Sequence, residues 1–270
     1  MKRDDESETD APLRPWGQPV VDQPQQVRRD APLNTSSWRG LFNRSSLVSL
    51  LFALAIIGLY GGRAYQDLSS PQAWAYWKDL YFSHSMTASV VTVDGLGPSH
   101  RALAVRGDIG AATASVFRTQ LDEAKLVAGD TVILSSPGGR VDQALIMGEI
   151  IRSRGLRTLV GSVNSEGRLK PAYCASACVL AYAGGTVRAL VPGSRLGVHQ
   201  FTAEVPKEGV SNWDGVAYAQ KTSGMILEYM TRMGVSPAIL QQMSASKDIR
   251  WLSEKDAADL NLVTKRFVAG

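Results

Sequence analysis

Residues 131–139 read TVILSSPGG, and this stretch decides the fold class. Its first four residues, Thr131–Leu134, form a continuous β-branched and apolar run, which is typical of a strand buried on both faces of a parallel sheet. Gly138 and Gly139 end the run, and the apolar residues from Val141 to Ser153 recur at helical spacing. The stretch therefore predicts a strand, a glycine turn and a helix, which together are the building unit of an α/β protein.

Strands and helices are predicted to alternate along residues 85–270, a length sufficient for one well-buried domain. Short apolar runs bounded by turn residues predict the strands, and amphipathic spacing predicts the helices. Such alternation favours a mostly parallel sheet with right-handed crossovers. The other predicted strands are 102–105, 156–160, 187–190, 196–199 and 263–268, and the other predicted helices are 111–127, 212–233, one opening at 236–237 and one at 253–256.

The residues before this domain differ sharply in composition. Residues 1–44 are polar and rich in Pro, Gln, Asp and Arg, so we expect a disordered segment. Residues 45–62 read SSLVSLLFALAIIGLYGG without a charge, and as a helix they would span roughly 27 Å, close to the hydrocarbon thickness of a bilayer. We interpret them as an uncleaved transmembrane anchor. A buried core helix would carry a polar stripe that is missing here, and a cleaved signal peptide is the remaining alternative.

The distribution of arginines predicts the orientation of this anchor, because basic residues within about 20 residues of a span stay in the cytoplasm. Four precede the apolar segment and two follow it: Arg28, Arg29, Arg39 and Arg44 before, Arg63 and Lys78 after. We therefore expect residues 1–44 in the cytoplasm and residues 85–270 outside, in the periplasm of a Gram-negative bacterium. Residues 63–84 are expected to be a juxtamembrane linker, whose Trp and Tyr side chains lie either at the membrane interface or against the domain.

Charge and motifs argue against several classes of function. The formal net charge is only +4, and no run of Lys and Arg predicts a nucleic-acid surface. The phosphate-binding motif Gly-x-x-x-x-Gly-Lys-Ser/Thr does not occur in the sequence. We expect no cofactor and no metal ion, and we expect the inner membrane to be a partner through residues 45–62.

The segment 173–178, YCASAC, contains the strongest candidate for a nucleophile. Small residues on both sides of Ser176 suit a tight entry into a helix, which presents the hydroxyl and leaves the next backbone N–H free. A serine nucleophile needs a neutral base near pH 7, and His199 is the candidate because the other two histidines precede the domain core. A serine–lysine dyad, with Lys170 six residues before the serine, is the alternative.

Three motifs in this order resemble the proteolytic subunit of the Clp protease and, more broadly, the Clp/crotonase superfamily. They are SPGG at 136–139, the serine among small residues, and RLGVHQ at 195–200. The resemblance covers roughly residues 102–268, and the Cys-x-Ser-Ala-Cys segment is similar to that of membrane-anchored or periplasmic Clp-like proteins. It implies a repeated ββα spiral with a mostly parallel sheet, preceded here by a single transmembrane helix. It also implies peptide substrates and self-association into a homo-oligomer.

The same resemblance implies the site residues. Ser176 is expected to be the nucleophile, His199 the general base, and the N–H groups of Gly138 and Ala177 the oxyanion hole. The position of the Clp aspartate falls on Ile249, and Asp248 lies one residue earlier. The third member of a catalytic triad, which would orient the histidine, is therefore Asp248 after a local shift, a backbone carbonyl, or absent.

The expected function is a membrane-anchored, extracytoplasmic serine peptidase. A non-catalytic scaffold or peptide-binding module with the same fold is the first alternative, and acyl-coenzyme A chemistry in the cytoplasm is the second.

Cys174 and Cys178 are the only cysteines in the chain. An exported domain lies in an oxidising compartment, where two cysteines commonly form a disulfide. At positions i and i+4 of a helix the Cα atoms of these two cysteines would lie about 6 Å apart, within disulfide range. A bridge would clamp the turn that carries Ser176. Two reduced buried thiols and a metal site are the alternatives, although two thiolates alone make a poor zinc site.

Overall fold

The computed structural model describes residues 44–93, 96, 98–99, 101–201 and 212–267, in two units that divide between Ile57 and Gly58. In chain order the described elements are α1 (Arg44–Ser69), α2 (Pro71–Tyr81), β1 (Met86–Thr92), β2 (Arg101–Gly107), α3 (Thr113–Ala124), β3 (Thr131–Ser135), α4 (Val141–Ser153), β4 (Arg157–Val160), β5 (Ser162–Val163), β6 (Leu169–Lys170), β7 (Tyr173–Ala175), α5 (Cys178–Ala183), β8 (Arg188–Leu190), β9 (Arg195–Val198), α6 (Asn212–Arg232), α7 (Ile239–Ser244), β10 (Arg250–Trp251) and α8 (Glu254–Asp259).

α1 is the one helix in the described part of the chain that is long and apolar enough to cross a membrane, over Leu47–Ser69. It continues past the predicted end at Gly62 and stops just before Pro71, since a proline disfavours helical geometry in the residue that precedes it. An apolar helix this close to the N-terminus is common to membrane spans and signal sequences. The disorder expected for residues 1–44 lies, apart from Arg44, outside the described residues.

The main sheet has five strands in the order β1-β2-β3-β4-β8. β2, β3, β4 and β8 are parallel to one another, and β1 is an edge strand that is antiparallel to β2. The predicted strand at 131–134 lies in the centre of this sheet, where Val132, Ile133 and Leu134 are at most 1% exposed. The α/β class and the mostly parallel sheet are thereby confirmed.

A second, smaller sheet lies at the carboxyl ends of the main strands. Its order is β10-β9-β7, with β7 and β9 parallel, and single bridges extend it from Cys174 to Ser136 and from Gly139 to Ile109. After each of the four parallel strands β2, β3, β4 and β8 the chain contributes to this second sheet and then enters a helix, in succession α3, α4, α5 and α6. This repeated strand–strand–helix unit brings residues that are far apart in sequence to one edge of the molecule.

One predicted strand, at 263–268, is wrong over its described residues 263–267. The backbone N–H groups of Thr264 and Lys265 both donate to the carbonyl of Arg188, at 3.0 and 3.2 Å. Because two successive N–H groups share one acceptor, this segment is tied to the end of β8 but cannot continue as a ladder.

Residues 71–81, expected within a linker, form a helix that packs on the domain. Asp79 on this helix is 6% exposed and accepts hydrogen bonds from the N–H groups of Ser85 and Ala112, each at 2.7 Å, and from the Ser85 hydroxyl. Burial opposes its ionisation, but these hydrogen bonds outweigh burial and hold the pKa of Asp79 below its ordinary value. Of the two alternatives for the linker, the membrane interface and packing against the domain, the second therefore applies to this face of α2.

We predict that Asp79→Asn lowers the free energy of unfolding by about 1–3 kcal/mol at pH 7, since it removes charge-assisted hydrogen bonds to buried donors. A lowered pKa in the folded state means that the stabilisation is complete above the ordinary aspartate pKa of about 4 and disappears as the pH falls through the folded-state value. Thermal unfolding of the detergent-solubilised chain from pH 7 to pH 3 measures this difference. Asp108→Asn, an exposed aspartate, is the control, and a loss at pH 7 no larger than that of the control contradicts the role of Asp79.

Candidate functional site

The turn between β7 and α5 holds Ser176 in an unusual backbone conformation. Its φ is +55°, in the left-handed region that non-glycine residues rarely adopt. The Ser176 N–H donates to the carbonyl of Gly197 at 2.8 Å, in continuation of the parallel pairing between β7 and β9. Ala175 and Ala177 on either side are buried, and larger side chains would not fit there. The small residues noted in the sequence thus permit a sharp turn that presents the serine side chain.

The same pairing brings His199 to the serine. Ala175 lies opposite Gly197 in the β7–β9 ladder, and His199 follows two residues after that glycine. The Ser176 Oγ lies 2.8 Å from the His199 Nε2, which is hydrogen-bond distance, and both residues are half-buried. A neutral imidazole at this position can accept the hydroxyl proton as the oxygen attacks an electrophile.

Gly138 lies directly against the serine turn. A Cβ on this residue would come within 2.7 Å of the Ser176 Cβ and 3.0 Å of the Ala177 nitrogen, and its φ of +107° also requires glycine. The turn after β3 and the turn after β7 are therefore in contact. The two backbone N–H groups expected to form an oxyanion hole belong to these adjacent turns.

The two N–H groups differ in their present partners. The Gly138 N–H donates to the Ser136 Oγ at 3.0 Å, and Ser136 is 1% exposed. For the Ala177 N–H, no acceptor is within hydrogen-bond distance among the described residues. One donor is thus free to bind an anionic oxygen, while the other must first leave the hydroxyl of Ser136. In the sequence Ser136 is only part of the SPGG motif, although a serine two residues before a turn N–H is a common acceptor for that N–H.

A disulfide joins Cys174, in β7, to Cys178, the first residue of α5. Their Cα atoms are 5.3 Å apart, and both side chains are at most 1% exposed. The bridge closes the turn around Ser176, as one of the alternatives from the sequence predicted. Because the two sulfurs are bonded to each other, they are not available as thiolate ligands to a metal.

The far end of α5 is fixed by the guanidinium of Arg188, which is 2% exposed. It donates to the carbonyls of Ala183 at 3.3 Å and Gly185 at 3.1 Å, at the end of α5, and to that of Met233 at 3.0 Å, just after α6. Burial lowers the pKa of Arg188. The short helix that follows Ser176 is thus held by a covalent bond at its start and by a buried cation at its end.

Asp248 does not contact His199 in this structure. Its side chain is exposed, and among the described residues no hydrogen bond joins His199 to a carboxylate. β10 runs antiparallel to β9, and the Cγ2 of Ile249 lies 2.6 Å from the position that a Cβ would take on Gly197. The isoleucine therefore covers the strand that leads to the histidine. Lys170, the alternative base, is exposed on β6 and makes no hydrogen bond to Ser176.

A single-residue mutant of ClpP1 from Listeria monocytogenes is similar in structure, with a TM-score of 0.48 and 17% sequence identity over 62% of this chain and 90% of that chain. No protein-family model and no curated protein matches the chain. Identity this low transfers no residue roles, so the candidate function depends on the geometry of the site itself.

We predict that Gly138→Ala destabilises the protein by about 2–4 kcal/mol, because the new methyl group meets the Ala175 carbonyl at 2.6 Å in a strained backbone conformation. Gly167→Ala is the matched control: its φ is also positive, at +74°, but nothing lies within 4 Å of the added carbon. Thermal or denaturant unfolding of the two variants separates backbone strain from steric contact. Equal losses would mean that Gly138 does not pack against the serine turn.

Proposed function

We propose that this protein is a membrane-anchored, extracytoplasmic serine hydrolase that cleaves peptide bonds, with Ser176 as the nucleophile and His199 as the general base. The observation that carries the proposal is the 2.8 Å separation between the Ser176 Oγ and the His199 Nε2. Peptide is the proposed substrate class because the motifs around these residues resemble those of the Clp proteolytic subunit.

In the proposed reaction the Ser176 oxygen bonds to the carbonyl carbon of the substrate, and its proton passes to the His199 Nε2. The carbonyl oxygen becomes an oxyanion, which accepts hydrogen bonds from the Ala177 N–H and from the Gly138 N–H once that group has left Ser136. The imidazolium then protonates the leaving amine as the C–N bond breaks. The same histidine then takes a proton from a water molecule, whose oxygen bonds to the acyl carbon, and returns that proton to the Ser176 oxygen as the bond between the acyl group and the serine breaks. One such oxyanion donor typically contributes about 10²–10³ in turnover.

We propose that the pair works as a dyad in the geometry described above. Asp248 is the only carboxylate proposed for a third position, and it reaches His199 only if residues 246–249 move. The N–H of Gln200 donates to the Ser246 carbonyl at 2.8 Å, and the Gln200 Nε2 donates to the Ser244 carbonyl at 2.7 Å. These two hydrogen bonds hold the segment in place and oppose such a movement.

Anchoring in the inner membrane by α1, with the domain in the periplasm, is part of the proposal. Its support is the apolar exposed helix, the excess of arginines before it and the disulfide beside the nucleophile, since disulfides persist in oxidising compartments. The disulfide also argues against cytoplasmic acyl-coenzyme A chemistry on this fold.

A non-catalytic peptide-binding role is the second candidate. Two observations favour it: His199 lacks a carboxylate partner among the described residues, and the Gly138 N–H is already occupied by Ser136. A folded chain without a reactive serine would fit this role.

We expect a fluorophosphonate probe to label the full chain at Ser176, with labelling abolished in Ser176→Ala and reduced about 10²–10⁴-fold in His199→Ala. Ser165→Ala and His84→Ala, at exposed positions, are the controls and keep full labelling. The Asp248→Ala chain is expected to be labelled at a rate within about twofold of the natural chain, and a tenfold lower rate would instead make Asp248 the third member of a triad.

Absence of labelling in a folded chain refutes the proposed enzymatic activity and favours the peptide-binding role. On spheroplasts, labelling by a permeant but not an impermeant probe would refute the periplasmic placement alone.

We predict that Ser136→Ala speeds the labelling of Ser176 by about 2–10-fold, the worth of one neutral hydrogen bond, because the Gly138 N–H no longer has to leave an acceptor. The neighbouring Ser135→Ala is the control, since no described contact links its hydroxyl to the site. The rate constant of labelling at limiting probe measures the effect. A slower rate in Ser136→Ala would show that the hydroxyl holds the glycine turn in its productive conformation instead.

A further inference from the structure

α2 has two faces of opposite character. The face that packs on the domain contains residues 73, 76, 79 and 80, which are buried or half-buried. It is held by the buried Asp79 and by a hydrogen bond of 3.2 Å between the Tyr76 hydroxyl and the Ser115 Oγ. A charged side chain and a phenol thus share this side with Ala73 and Leu80, where an amphipathic helix usually has a continuous apolar stripe.

The apolar stripe of α2 points away from the domain. Trp74, Trp77 and Tyr81 follow one another at i, i+3 and i+7 and are 61%, 37% and 65% exposed, and the adjoining Phe82 is 75% exposed. The rings of Trp77 and Tyr81 stack with their centroids 5.4 Å apart, and those of Trp74 and Phe82 are 6.4 Å apart. We call these four side chains the aromatic face. They form two ring pairs, and Trp74, Trp77 and Tyr81 share one side of α2.

The composition and position of the aromatic face identify what covers it. Trp and Tyr concentrate at the headgroup level of bilayers, where their rings are buried and their polar atoms reach water. The charged residue beside the face is Lys78, whose long side chain can extend to the phosphates, while the carboxylate of Asp79 is turned inward. Pro71 starts α2 only two residues after α1 ends at Ser69, so the face is within reach of the membrane that α1 is proposed to cross.

We propose that α2 is a second membrane contact, whose aromatic face lies in the headgroup region of the bilayer and holds the domain against the membrane. The inference rests on the anchoring by α1 and not on the chemistry of Ser176. Because Asp79 fixes α2 to the domain, the orientation of the helix on the membrane also sets the orientation of the domain. Substrates would then be cleaved close to the bilayer surface rather than at the end of a flexible tether.

The test uses the full chain reconstituted in liposomes of phosphatidylcholine brominated near the carbonyl end of the acyl chains, which quenches tryptophan at the interface. Trp74→Phe/Trp77→Phe removes two of the six tryptophans and keeps an aromatic ring at each position. We expect the natural chain to lose a larger fraction of its fluorescence on bromination than this double variant does. The matched control is Trp213→Phe on α6, where the tryptophan is 82% exposed but far from α1 in sequence; it is expected to raise the quenched fraction.

Equal quenching of the natural chain and the double variant overturns the proposal. So does a difference that grows with the protein-to-lipid ratio, because a second copy of the chain would then cover the aromatic face. A chain that carbonate extracts from the liposomes lacks the anchor, which overturns the inference while leaving the labelling of Ser176 as a separate question.

Discussion

The hydrogen bond from the Ser176 N–H to the Gly197 carbonyl is the contact on which the candidate site depends. It terminates the β7–β9 pairing and holds the serine at a positive φ, so that the hydroxyl leaves the sheet and meets the histidine two residues beyond Gly197. Moving β9 along β7 by one residue would turn the β9 side chains to the opposite face of the sheet and take His199 away from Ser176. The contact between Ser176 and His199 therefore depends on strand register, and its geometry is set by the pairing of a three-residue strand with a four-residue strand.

Such short strands supply few backbone hydrogen bonds, so the turn is reinforced from several sides. Gly138 packs on it closely enough to exclude a methyl group. The Cys174–Cys178 disulfide closes it covalently, and Arg188 holds the other end of the helix that it opens. Strained backbone persists where the surrounding structure over-determines it, and here packing, a covalent bond and a buried cation act on about ten consecutive residues. These contacts hold the strained Ser176 turn in one conformation, which is what a preorganised nucleophile at this position would require.

The position of α2 on the domain is also fixed by a few specific contacts. A single buried carboxylate, Asp79, joins α2 to the turn at Ala112 and to Ser85, and this leaves the aromatic face, which excludes Tyr76, pointing outward. In the proposed arrangement the same helix is both a structural part of the domain and its contact with the lipid. The orientation of the site relative to the bilayer would then depend on one buried charge and four exposed rings.

By itself the sequence determined the α/β class, because a buried strand such as 131–134 and a helix such as 141–153 have distinct periodicities. Its motifs also predicted Ser176 and His199 as candidate reactive residues. The contacts of these residues depend on tertiary structure. The register of β10 on β9 places Ile249, not Asp248, beside the strand that leads to His199. In the turn after β3, the Gly138 N–H donates a hydrogen bond to the Ser136 Oγ. The tertiary structure likewise decided which face of α2 meets the domain. The physical reason is the same in each case: periodicity is a local property, whereas register, packing and hydrogen-bond partners are fixed by segments that lie far apart in the chain.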